Sequence, residues 1–252
     1  MMRLVRRILL VALVVACTVS AVLAVSLPAR GRTLVTWTAP HGRPAGVVLV
    51  IHGGAWRASG PRTAALMAAR ARIFASWGWA AAVVDYRAFA DAPGDVVRGY
   101  DAARRRFPDL PICAYGESAG GHLALMLAVR RPLACVVDAA GPVDLPRLGG
   151  TPQADWVRAK ALAAFGDLHD ASPTRHAAAI RAPVLAGYAA ADRIVPASQG
   201  RDLKRALPHA RVIELGRGHG PRFVHASVPP AALRSWWSAV RAELQRAAWP
   251  RR

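Results

Sequence analysis

Short, unbroken apolar runs alternate with longer stretches of helical period along most of this chain. Val47 to Ile51 is such a run, and five consecutive apolar residues without a polar face predict a strand buried on both sides. Trp79 to Tyr86, Ile112 to Tyr115, Leu133 to Ala139, Pro183 to Tyr188 and Arg211 to Leu215 also read as strands, while Thr33 to Thr38 alternates and predicts an outer strand. Helical composition fills Pro61 to Trp77, Asp95 to Phe107, Ala119 to Arg131, Ala197 to Leu207 and Pro230 to Gln245. Pro108 and Pro132 close two of these. Repeated strand and helix in this order predict an α/β fold, with a mostly parallel central sheet and helices on both faces.

One segment breaks the rhythm. Gly141 to Arg181 carries two short helical pieces, Gln153 to Phe165 and Pro173 to Ile180, where a simple crossover would suffice. It reads as a small cap over the strand ends or as a plain surface excursion. The 252 residues contain no repeat and no shift of composition that would mark a second large domain. Residues 31–252 are therefore expected to form one domain, with 141–181 as its cap.

Residues 1–30 differ in kind. Arg3, Arg6 and Arg7 precede an uncharged apolar run from Ile8 to Leu27, long enough to cross a hydrocarbon core of about 30 Å as a helix. The positive flank predicts a cytoplasmic N-terminus, so the domain that follows is expected outside the cytoplasm. Ala24 and Ala29 suit a cleavage site, which leaves a signal peptide and a retained membrane anchor both open.

Charge adds a possibility without a motif to support it. The formal net charge is +19, from 34 basic and 15 acidic residues, and Lys160 and Lys204 are the only lysines. Such a surface attracts anions, but no signature of a nucleic-acid module accompanies it, and none is expected to bind. Cys17, Cys113 and Cys135 form neither a disulfide framework nor a metal-ligand pattern. Cys113 and Cys135 read as small buried hydrophobes, bridged only if their strands are neighbours.

Candidate chemistry centres on Gly116-Glu117-Ser118-Ala119-Gly120, a G-x-S-x-G pentapeptide between a predicted strand and a predicted helix. A tight turn there exposes a serine hydroxyl, and the helix N-terminus favours negative charge beside it. His52-Gly53-Gly54-Ala55-Trp56 follows the buried strand at Val47 to Ile51. Its glycines let backbone N–H groups approach a developing oxyanion, so Gly53 and Gly54, with Ala55 as a further candidate, join Ala119 as the expected oxyanion hole. His52 itself reads as a structural residue of that loop. A base and an orienting carboxylate should follow in the order Ser, Asp, His. Asp192 follows one strand and His219, between Gly218 and Gly220, follows the next. His225 is a competing base, His122 reads as a satisfied interior histidine, and Asp138 and Asp144 come early for the acid.

With these residues in order, residues 40 to 225 resemble the esterase and lipase branch of the α/β-hydrolases, near carboxylesterases and kynurenine-formamidase-like enzymes with an HGGxW loop. Asp85-Tyr86-Arg87 and Gly141-Pro142-Val143-Asp144-Leu145 are further marks of the resemblance. It implies a Ser118, Asp192, His219 triad, no cofactor or metal, and a small or medium acyl ester as substrate, cleaved through an acyl-enzyme. Formamide or amide hydrolysis is the alternative, as is a catalytically silent binding protein of the same fold. The third residue of the His52 loop's glycine run is Ala55, a departure from HGGG-type lipases that weighs against long-chain lipase activity. A membrane partner is implied only if the apolar segment is uncleaved, and the sequence does not fix an oligomeric state.

Overall fold

The computed structural model describes residues 34–215 and 230–246. The apolar segment, His219 and His225 lie outside them. Seven strands form one sheet in the order β1-β3-β2-β4-β5-β6-β7. They are β1 (Leu34–Thr38), β2 (Val47–Ile51), β3 (Ala80–Asp85), β4 (Ile112–Glu117), β5 (Cys135–Ala139), β6 (Val184–Tyr188) and β7 (Arg211–Glu214). Only β1 runs antiparallel, against β3 at the edge; every other pairing is parallel.

The side-chain alternation of a strand divides the core between the two faces. Val47, Leu49 and Ile51 face α2 (Ala92–Arg106) and α3 (Ala119–Arg130), whereas Val48 and Val50 face α1 (Pro61–Ser76) and α6 (Pro230–Arg246). Helix α3 is buried all round from Ala119 to Ala128, whereas α1 and α6 each bury one stripe. In α1 it is Met67, Ala71 and Phe74, and in α6 it is Leu233, Trp236 and Trp237. With both faces covered, all of β2, β4, β5 and β6 is buried, which explains why these strands read as mostly apolar runs.

Two elements differ from expectation, and one open question is answered. Helix α2 begins at Ala92, ahead of Asp95, because Pro93 fits the first turn of a helix and a 3-10 turn at Phe89–Asp91 leads into it. The piece expected as a helix from Pro173 is a 3-10 stretch, Pro173–Ala179, kinked at His176. Cys113 and Cys135 stand directly opposite one another on β4 and β5, with Cα atoms 4.7 Å apart, and form a disulfide.

The segment 141–181 has two parts. Val143 and Leu145 are fully buried, and Gln199 of α5 (Ser198–Ala206) fixes the backbone of Val143 and Asp144. Its Oε1 accepts the Val143 and Asp144 N–H groups at 2.8 Å, and its Nε2 donates to the Asp144 carbonyl at 3.0 Å. The remainder carries α4 (Pro152–Phe165), capped by Thr151, whose Oγ1 accepts the Ala154 N–H at 3.1 Å. At one end of α4 the Thr151 hydroxyl donates to the Arg193 carbonyl; at the other, Phe165 packs on Trp56 with ring centroids 5.3 Å apart. Helix α4 thus lies against both the Asp192 loop and the His52 loop.

Candidate active site

Strand β4 ends at Glu117, α3 begins at Ala119, and Ser118 alone makes the turn between them, at φ 53° and ψ −122°. A non-glycine residue pays for that left-handed backbone in strain, and the surrounding contacts hold it there. The Ser118 N–H donates to the Ala139 carbonyl at 2.8 Å, and the Ser118 carbonyl accepts from Gly121 and His122 at 2.8 and 3.2 Å. Serine at such a position often caps the helix with its hydroxyl. Here the Ser118 side chain makes no capping bond.

The two glycines of the pentapeptide are required by close approach. A Cβ on Gly116 would stand 2.0 Å from the Gly120 carbonyl oxygen, and one on Gly120 would stand 2.2 Å from that of Ile51. Tight packing of this kind brings the His52 loop against the turn. A Cβ on Gly53 would lie 3.1 Å from the Ser118 Cβ. Gly53 and Ala119 therefore flank Ser118, and Gly54 follows at φ 114°.

His52 is 1% exposed and holds the loop. Its Nε2 bonds Asp85 Oδ1 at 3.2 Å, and its Nδ1 lies 2.7 Å from the Gly53 carbonyl oxygen. Burial alone would raise the Asp85 pKa, but hydrogen bonds from His52 and Ser59 outweigh it and hold the carboxyl below the usual range. Tyr86 closes the same loop by donating to the His52 carbonyl at 2.9 Å. Arg87 ties this segment to α2, gripping Asp95 with Nε and Nη2, both at 3.1 Å. Asp85-Tyr86-Arg87 is thus a buttress for the His52 loop, a role that the sequence marks without explaining.

Two more buried networks lie beside the turn; the first escapes the sequence reading, and the second holds His122 as the satisfied interior histidine expected there. Glu117 accepts from Arg70 of α1 at 2.9 Å and from the Tyr115 hydroxyl at 2.5 Å, directly behind the turn. On the other face, Trp56 Nε1 donates to His122 Nδ1 at 3.1 Å, and His122 Nε2–H donates to the Ala171 carbonyl at 2.7 Å. Burial pushes the His122 pKa down to about 4. His122 is a neutral interior residue with both nitrogens engaged.

Asp192 is 5% exposed and follows β6, two strands from the one that carries Ser118. Its Oδ1 accepts the N–H groups of Ile194 and Val195 at 2.8 and 3.0 Å. Beside β6, β7 ends at Glu214, and the Leu215 N–H donates to the Tyr188 carbonyl at 2.8 Å. His219 comes four residues after this last described position. Asp144 is held with its loop by Gln199, and Asp138 lies in the middle of the sheet. Among the described residues, no group of three or more His, Cys, Asp or Glu could hold a metal ion.

No protein-family model matches the chain, and no curated protein matches it in sequence. Solved structures do match. An acetyl ester-xyloside bifunctional hydrolase from Caldicellulosiruptor lactoaceticus superposes with a TM-score of 0.67 at 15% identity, over 90% of this chain and 92% of that one. Thermogutta terrifontis esterase 2, phosphonylated by sarin, gives 0.67 at 18% identity over 90% and 94%. A carbohydrate esterase from gut microbiota gives 0.66 at 17% over 82% and 90%. With the sheet order, the turn at Ser118 and these superpositions, the domain has the α/β-hydrolase fold.

Proposed function

We propose that the chain is a serine hydrolase that cleaves carboxylic esters of small or medium size through an acyl-enzyme. The observation that carries this reading is the backbone of Ser118, strained into a one-residue turn with its hydroxyl free of capping and the Gly53 backbone packed against it. In this reading Ser118 attacks the ester carbonyl, and N–H groups of Gly53, Gly54 and Ala119 stabilise the oxyanion. His219 takes the serine proton and returns it to the leaving alcohol, while Asp192 fixes the imidazole tautomer. Water then attacks the acyl-enzyme with His219 again as base. The superposed proteins are ester hydrolases, and one of them was phosphonylated by sarin, which supports the same chemistry here.

The same reading sets the enzyme outside the cytoplasm, secreted or anchored by residues 1–30. The apolar run from Ile8 to Leu27 supports export, and so does the Cys113–Cys135 bridge, since disulfides persist mainly in oxidising compartments. Among the described residues no helix is long and apolar enough to cross a membrane.

The test uses a panel of short activated esters alongside an aryl formamide, with a fluorophosphonate probe. Ser118→Ala is expected to abolish ester turnover and labelling while leaving the fold intact by circular dichroism. Residual turnover within tenfold of the parent would overturn the assignment of Ser118. Faster formamide than ester turnover would overturn the substrate class.

A further inference from the structure

Asp138 sits in β5 opposite Gly116, wholly buried, and the mechanism above makes no use of it. Its Oδ1 accepts the Gly141 N–H at 2.7 Å. Its Oδ2 lies 2.7 Å from the Tyr188 hydroxyl, and that hydroxyl also lies 2.7 Å from the Gly141 carbonyl oxygen. A phenol has one proton. If Asp138 were a carboxylate, that proton would face two acceptors and one of the two short oxygen contacts would contain no hydrogen. A proton on Asp138 Oδ2 resolves the count, giving each short contact its own hydrogen.

We infer that Asp138 is held as a neutral carboxylic acid that donates to Tyr188, which donates on to the Gly141 carbonyl, and that this relay positions the turn carrying Ser118. The positioning half rests on the reading of Ser118 given above. The path is short. The Ala139 carbonyl, next to Asp138, receives the Ser118 N–H, and Asp138 Oδ1 would stand 2.0 Å from a Cβ on Gly121 in the first turn of α3. Ionisation would withdraw the donor from Tyr188, so the phenol proton would turn to the carboxylate and leave the Gly141 carbonyl without it.

Among the described residues, the surroundings supply no counter-charge. From β4, Glu117 projects to the opposite face, to Arg70 and Tyr115; from α3, the His122 ring is occupied by Trp56 and Ala171. From α5, Asp202 acts on Tyr188 and is itself paired with Arg147 at 3.2 Å and Arg205 at 2.8 Å. In the loop after β5, Asp144 is the nearest charged side chain in sequence, 23% exposed and 4.0 Å from Arg147. Burial pushes the Asp138 pKa up to about 7, against the pull of its bonds from Tyr188 and Gly141.

Asp138→Asn tests this, because the amide keeps one donor toward Tyr188 and one acceptor for Gly141 but cannot ionise. The folded pKa lies above the unfolded value, so the stability contributed by the acid is complete below the unfolded pKa and is lost as pH rises through the folded one. Denaturant titration at about pH 4.5 and about pH 8.5 should show the variant gaining on the parent by on the order of a hundredfold in the folding equilibrium, as each pKa unit is a factor of ten. A difference that does not change with pH overturns the neutral acid. This arm is independent of Ser118. In the second arm, phosphonate labelling of the parent should slow relative to the variant above about pH 7, where the acid ionises; parallel rates overturn the positioning role alone. Should the variant fail to fold, the parent's infrared spectrum decides. A protonated carboxyl band present at about pH 6, where ordinary carboxyls are ionised, and lost in alkali supports the inference, and its absence at that pH overturns it.

Discussion

The ring of Tyr86 lies flat against that of His52, with centroids 3.9 Å apart and planes 10° from parallel, while the Tyr86 hydroxyl donates to the His52 carbonyl at 2.9 Å. One side chain therefore fixes both the ring and the backbone of the residue that precedes Gly53. Because β2 and β3 are parallel neighbours, their carboxyl ends bring the loop and its buttress to the same edge.

Tyr86→Phe keeps the stack and removes the hydrogen bond. Stability should fall by about 1 to 2 kcal/mol, the usual result of losing a buried hydrogen bond. If the loop supplies oxyanion donors, kcat should fall by about tenfold with KM little changed, as expected of a contact that matters in the transition state. Steady-state kinetics on a short ester measures both. An unchanged kcat beside the expected loss of stability would make Tyr86 a support of the fold only.

Behind the turn, Glu117 is 4% exposed and depends on Arg70 and Tyr115. Arg70→Met leaves a carboxylate buried without its cation, which typically costs about 3 to 5 kcal/mol. Arg70→Met with Glu117→Gln removes both charges and should recover most of that loss. The double-mutant cycle, read by urea unfolding, should give a coupling of at least about 2 kcal/mol. Additive effects would mean that Glu117 does not rely on Arg70.

The pattern of strands and helices was legible because each core strand is covered on both faces, so its residues are mostly apolar. The sharp turn at Ser118 was legible too, since its backbone needs Gly116 and Gly120 for room, and that need is written as a pentapeptide. What could not be read depends on register between distant segments. Asp138 and Tyr188 are 50 residues apart in sequence, and only the pairing of β5 with β6 brings them to hydrogen-bond distance. The Cys113–Cys135 bridge likewise follows from the direct pairing of those two positions on β4 and β5. Asp85-Tyr86-Arg87 stood out as a motif, but its purpose appears only when β3 lies beside β2.

His122 gives a prediction about acid, and Asp138 complicates it. His122 is 1% exposed, and the tautomer that accepts from Trp56 and donates to Ala171 is neutral. Its folded pKa of about 4 lies below the ordinary value near 6.5. The unfolded chain therefore takes up the proton first as pH falls, and the stability His122 contributes is complete above the unfolded pKa and lost as pH falls toward the folded one. Relative to His122→Gln, which does not titrate, the parent should lose about 3 kcal/mol between neutral pH and pH about 4. Urea unfolding of both proteins across that range measures it, and a constant difference would show that His122 takes no part in the acid response. The parent's curve alone would mislead. Across the same window Asp138 is expected to act in the opposite sense, since the unfolded chain releases its proton while the folded one keeps it. At about pH 5 the unfolded state then carries a proton on His122 where the folded state carries one on Asp138, and the two slopes cancel. A parent stability that is flat with pH is thus what two oppositely shifted buried groups produce, and only the single variants, diverging in opposite directions, separate them.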